Sequence, residues 1–215
     1  MRLHQLKALW PILGLLYAVP SLAFPWPSAY RSTVPDLLTM VVGSGAQGAD
    51  LGYPFKVVVR NSDGMPVSMV TVQLTFSIPD LWICTDQGDP GVSVDCSTRS
   101  ISALCNQEGE VTFHVLGCGR NSGASPGLNG PGLEVRADGF FLGTARVAAL
   151  DQDGWNGVDG NDLGALLADI FSGQTFSRSD YDGDGSLGGN DLSLWLAAFF
   201  NGARYYGCGT AVCPH

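Results

Sequence analysis

From about residue 34 to 148, apolar and polar residues alternate with a period of two. In "MVTVQLTFS" (69–77), Val70, Val72, Leu74 and Phe76 alternate with Thr71, Gln73 and Thr75. That is the pattern of a strand with one face in a core and the other in water. "EVTFHVLG" (110–117) repeats it with Val111, Phe113 and Val115. The same alternation predicts strands at 37–43, 53–60, 92–95, 100–105, 133–137 and 141–148. "NSDG" at 61–64, "NQEG" at 106–109 and "ADG" at 137–139 separate them as turns. Short strands at this spacing predict an all-β antiparallel sandwich over residues 35–148.

At residue 151 the period becomes helical and the chain repeats itself. Offset by 29 residues, "DQDGWNGVDGNDLGALLADIF" (151–171) matches "DYDGDGSLGGNDLSLWLAAFF" (180–200) at ten of twenty-one positions. After each loop the apolar residues fall on one helical stripe. They are Leu163, Leu166, Leu167, Ile170 and Phe171, then Leu192, Trp195, Leu196, Phe199 and Phe200. Neither helix can bury its stripe alone, which predicts a small all-α pair packed face to face. Gly173 and Gly202 are placed to end the two helices.

The loops before these helices carry the candidate chemistry. A calcium loop of the EF-hand type needs oxygen ligands at positions 1, 3 and 5, a carbonyl at 7, often a water-mediated ligand at 9, and a carboxylate at 12. It also needs glycine at 6 for the turn. In the second loop Asp180, Asp182 and Asp184 stand at 1, 3 and 5, Gly185 at 6, Ser186 at 7 and Asp191 at 12. Leu187 at 8 is expected to point into the core. In the first loop Asp151 and Asp153 stand at 1 and 3, Gly157 at 7, Asp159 at 9 and Asp162 at 12. Position 5 is Trp155, which has no oxygen to give, and position 6 is Asn156, which enters left-handed backbone more readily than most residues. The first loop is therefore expected to bind more weakly. Hard oxygen donors favour Ca2+ over transition metals.

Charge supports that reading. The formal net charge is −9, and it becomes −11 once Arg2 and Lys7 are removed with a leader. Nucleic acid is a poor partner for such a surface. Residues 151–200 hold nine Asp and one basic residue, Arg178.

Residues 1–23 read as a secretory signal, with Arg2 and Lys7, an apolar run from Ala8 to Val19, and Ser21-Leu22-Ala23 before a cleavage at Phe24. No later stretch is long and apolar enough to cross a bilayer. In an exported chain, Cys84, Cys96, Cys105, Cys118, Cys208 and Cys213 are expected as disulfides. Cys208 and Cys213 would close a small C-terminal loop. A hairpin at 106–109 would bring Cys118 near Cys96 and leave Cys84 for Cys105; a local Cys84–Cys96 bridge fits equally.

Two resemblances follow from these motifs. "DGMPVSMVTVQLTFS" with "NQEGEVTFHVLG" resembles bacterial immunoglobulin-like domains of the invasin and intimin type. The duplicated loop and helix, with "DYDGDGSLGGNDL" (180–192), resembles the type I dockerin module over about 151–201. The dockerin likeness implies two calcium sites and docking to a cohesin-like module. The partner-reading positions 10 and 11 would be Gly160-Asn161 and Gly189-Asn190, where the family more often has hydroxyl or small apolar residues. The two identical pairs would permit binding in either of two orientations.

The implied organisation is multi-domain. A signal (1–23) and an extension (24–34) precede an immunoglobulin-like sandwich (35–148). A dockerin-like calcium domain (149–202) and a disulfide-closed tail (203–215) follow. "GTARVAAL" (143–150) runs straight into Asp151 without a linker, so the two units are expected to pack as one rigid body. No constellation for catalysis is legible: after the signal the histidines are His114 and His215, and the glutamates Glu108, Glu110 and Glu134. The expected function is a secreted or cell-surface bacterial protein that binds calcium and attaches to another protein. The alternative is an accessory subunit of a polysaccharide-degrading complex, its sandwich binding carbohydrate, with Trp82 as a sugar-stacking or core-plugging residue.

Overall fold

The computed structural model describes residues 26–41, 54–119, 131–201 and 212–213. The signal segment, its cleavage site, Gly202, Cys208 and His215 lie outside the described residues.

Among the described residues, ten strands precede two helices. They are β1 (Leu37–Met40), β2 (Phe55–Val58), β3 (Thr71–Phe76), β4 (Leu81–Ile83), β5 (Ser93–Asp95), β6 (Ser100–Leu104), β7 (Glu110–Phe113), β8 (Gly117–Gly119), β9 (Leu133–Ala137) and β10 (Phe140–Ala149). The helices are α1 (Gly160–Ser172) and α2 (Gly189–Phe200). Six strands form one sheet in the order β1-β10-β9-β3-β6-β5, and β2-β7 and β4-β8 form two small sheets.

The alternating segments became strands because each has one face to bury. Val72, Leu74 and Phe76 of β3 and Leu133, Val135 and Ala137 of β9 point into a single core. Phe55 and Val57 of β2 and Val111 and Phe113 of β7 point into it from the small β2-β7 sheet. The sheet is mixed rather than antiparallel throughout. β1 pairs in parallel with the C-terminal half of β10, Leu37 opposite Arg146 and Met40 opposite Ala149. Parallel neighbours need a long crossover, and here most of the β section separates the two strands.

A second cluster lies at the junction. It joins Val41, Cys84, Leu116, Cys118, Ala148 and Leu150 of the β section to Val158, Leu166, Tyr181, Trp195 and Ala198. Leu166 and Trp195 are thus buried in the junction with the β section, and Leu163, Ile170, Leu192 and Phe199 pack partly against it, whereas Leu196 is exposed. The outer ends of the helical stripes stay in water: Phe171 and Phe200 are exposed. Gly173 ends α1 in left-handed backbone, as expected, and Asn201 ends α2. Leu187 is half-buried and joins neither cluster, in contrast to the inward position expected of it, whereas its counterpart Val158 is fully buried.

The cysteines pair differently from every expected scheme. Cys96 is bonded to Cys213 across 117 residues. That bond excludes Cys96–Cys118, Cys84–Cys96 and Cys208–Cys213. Cys105 and Cys118 are buried thiols, so Cys84–Cys105 does not form either. The cause is the path of the chain end. Val212 bridges Cys84 and the Cys213 amide donates to the Ile83 carbonyl, which lays residues 212–213 along β4, with Cys213 bonded to Cys96.

Candidate metal centre

Each loop is closed by its position-12 carboxylate in the same way. Asp162 Oδ1 accepts from the Gln152 amide at 2.7 Å and Oδ2 from the Asp159 amide at 2.8 Å. Asp191 Oδ1 accepts from Tyr181 at 2.7 Å and Oδ2 from Gly188 at 2.8 Å. These are positions 2 and 9 of each loop, so the carboxylate ties the loop's start to the turn before the helix. The backbone repeats too. Gly154 and Gly183 at position 4, and Asn156 and Gly185 at position 6, all have left-handed φ between 62° and 82°. Asn156 therefore takes the conformation expected of it.

The closed loops gather acids. Oxygens of Asp151, Asp153 and Asp162 lie within 4.8 Å of one another, all from buried residues. Those of Asp180, Asp182 and Asp184 do the same, graded from buried to exposed. Either group could hold a metal ion. The expected set is only partly assembled. Asp191 stands apart from the second group and serves as the brace described above. Asp159 is the N-cap of α1, accepting from the Asn161 amide at 2.7 Å. Gly157 takes left-handed backbone, with φ of 73°. Ser186 donates its hydroxyl and its amide to Asp184 Oδ1, at 2.6 Å and 2.8 Å. Trp155 has an exposed side chain, and its amide donates to Asp153 Oδ1 at 2.8 Å.

Two oxygens point to a ligand. Asp151 Oδ2 and Asp180 Oδ1 are buried and accept no hydrogen bond, although both residues are fully inaccessible. They occupy position 1 of each loop. Leaving a buried charged acceptor unpaired costs at least about 1–3 kcal/mol. Finding the same cost twice, at repeat-equivalent positions among other carboxylates, fits a hard cation bound by oxygen.

Electrostatics agrees. Burial, then the neighbouring Asp162 charge, push the Asp151 carboxyl up to about 8 against the Gly154 hydrogen bond. Burial pushes Asp162 up to about 7, although the amides of Asp159 and Gln152 oppose it. Without a cation these groups hold protons more tightly folded than unfolded. Their contribution to stability is fully present below about pH 4 and is lost as pH rises through 7 to 8. Melting temperature in chelator is therefore expected to fall from about pH 5 to 8, and added divalent cation to reverse the trend. Melts across that range check it; a chelator curve that rises throughout would contradict it.

The loops rest on different strand pairs. The first lies on β8: the Gly119 amide donates to the Asp151 carbonyl, and a side chain at Gly119 would run into the Gln152 backbone. Trp82 on β4 is half-buried and packs in the junction cluster beside Gly154. The second loop lies on β1 and β10. Thr39 donates to the Tyr181 carbonyl at 2.8 Å, and Arg146 Nη1 donates to Asp180 Oδ2 at 2.8 Å. Between the loops, Gln152 Nε2 donates to Tyr181 Oη at 2.8 Å and Ser179 Oγ at 2.9 Å. Arg178 grips Asp169 of α1 with two nitrogens, and Ser179 donates to the same carboxylate.

Arg146, Thr39, Gln152 and Tyr181 were not singled out from sequence. A faint signal existed for Arg146, the one charge in "GTARVAAL" next to nine aspartates. Gly160, Asn161, Gly189 and Asn190 all lie exposed on the first turns of α1 and α2. The remaining polar residues weighed above lie elsewhere: His114 is exposed and paired with Asp89 at 3.0 Å, Glu110 pairs with Lys56 and Glu134 with Arg136.

Comparison of the chain with family models, curated proteins and solved structures yields no match.

Proposed function

We propose that the protein is an exported calcium-binding attachment module, in which an immunoglobulin-like sandwich carries a dockerin-like pair of EF-hand-type loop–helix repeats. The observation that carries the reading is the pair of partnerless buried oxygens, Asp151 Oδ2 and Asp180 Oδ1, at equivalent positions of the repeat. Asp151, Asp153 and Asp162 would hold one ion, and Asp180, Asp182 and Asp184 the other. Calcium supplies charge neutralisation there and lets both loops close. The chain's own residues do the rest. Asp162 and Asp191 brace each loop, and the helices start from it with their first turns outward. Gly160-Asn161 and Gly189-Asn190 would then present two copies of one small polar face to a cohesin-like protein module.

Isothermal titration of the secreted chain with CaCl2 tests this. Two equivalents with micromolar or tighter dissociation constants are expected, with Mg2+ binding far more weakly because it resists such irregular cages. No calcium uptake at millimolar ion would end the proposal. Calcium uptake without partner capture from a cohesin panel would remove only the docking role.

A further inference from the structure

Asp180 is held from outside its own loop. Its side chain is fully buried, yet Oδ2 accepts from Arg146 Nη1 at 2.8 Å and from the Gly185 amide at 3.2 Å. Oδ1 accepts nothing, and a carboxylate oxygen of Asp180 gathers with those of Asp182 and Asp184. The repeat-equivalent residue, Asp151, has no such partner: Oδ1 accepts from the Gly154 amide, and Oδ2 is the orphan. The two cages also draw their third acid from different positions. The second has a carboxylate at position 5, Asp184, where the first has Trp155. Each cage holds three acids, the first taking Asp162 from position 12, and the arginine stands at the second.

The guanidinium is delivered by the fold and not by the loop. Arg146 lies on β10 opposite Leu37 of the parallel neighbour β1, and its amide donates to the Asp36 carbonyl at 2.8 Å. β1 also fixes the loop's floor, through Thr39 on the Tyr181 carbonyl and Leu37 packed where a side chain on Gly183 would fall. With loop and strand both held, the Arg146–Asp180 pair cannot drift apart when an ion enters.

We infer that Arg146 sets the calcium affinity of the second loop: a resident cation from the β section keeps Asp180 to one free oxygen and opposes the incoming ion. This rests on the calcium reading above. A positive charge one carboxylate away from a divalent ion repels it even through a high effective dielectric, and weakens binding by about tenfold or more. It also couples the two sections, because occupancy of the loop is felt at β10.

The test is calcium titration of the secreted chain in an Asp153→Asn background, which leaves the second loop to be read. Arg146→Gln removes the charge and keeps a donor; it is expected to lower the dissociation constant about tenfold. Arg146→Lys keeps the charge and is expected to stay within about twofold of the parent. Should the glutamine variant fail to fold, Arg146→Met, which retains the apolar stem, carries the same expectation. Unchanged or weaker binding in the neutral variants overturns the inference, as does a lysine variant that tightens as much as they do. A parent chain that takes up no calcium overturns the calcium reading itself, a result distinct from equal uptake by all variants.

Discussion

Asp180→Ala is expected to remove about 4 kcal/mol of stability in millimolar calcium and about 1 kcal/mol in chelator. The first figure is the linkage energy of an ion present at about a thousandfold over its dissociation constant and bound only by the folded chain. Asp180 holds position 1, is fully buried, and carries the oxygen without a partner. Its removal therefore takes away the ligand that the cage is built around. The smaller figure comes from Arg146, which loses its ion pair but keeps part of its side chain in water. Asp184→Ala should cost less in calcium, about 1–2 kcal/mol, because Asp184 is exposed and its counterpart in the first loop is a tryptophan that donates nothing. Denaturant unfolding of the full chain and both variants, with calcium and with chelator, measures all of this. A parent chain with equal stability in the two conditions would defeat the metal reading. Equal losses from the two variants would defeat only the ordering of positions 1 and 5.

Period and spacing are local properties, and the features they control were legible. β3, β7, β9 and β10 follow directly from alternating side chains, and α1 and α2 from a helical stripe behind each acidic loop. The left-handed turn at Asn156 could be read because the conformation belongs to that residue and not to its neighbours. Long-range pairing was not legible. Nothing in "LLTM" says that it lies parallel to a strand more than a hundred residues later. β4 escaped because three residues, Leu81–Ile83, are too few to show a period. The role of Asp162 and Asp191 was half legible. Spacing marks position 12 as a carboxylate, but only coordinates show each one spending both oxygens on backbone amides. Arg146 escaped for the same reason as the parallel pair. Its partner is 34 residues away, and the strand that carries it had to be placed before the contact existed.

Cys213→Ser is expected to cost about 4–5 kcal/mol. The bridge to Cys96 closes a loop of 117 residues, and in the chain-entropy account the restriction of the unfolded state grows with that length. A local Cys84–Cys96 bridge would have given only about 3 kcal/mol on the same account. The closed loop contains β6 to β10, both acidic loops and both helices. It therefore ties the loop–helix section to the β section at its far end, while the direct run of β10 into Asp151 ties the near end. Cys213 also packs in the main β core, so its loss loosens the sheet edge at Cys96 together with the chain end. Because the effect lies mainly in the unfolded chain, it should be nearly the same in calcium and in chelator, and should add to the Asp180→Ala loss. The shared junction cluster should keep unfolding in one transition even without the bridge. Denaturant curves of the single and double variants give these terms. A loss seen only in calcium would mean that the bridge acts through the ion sites and not through chain entropy. A second transition in the Cys213→Ser variant would mean that the disulfide, and not the buried junction, makes the two sections one body.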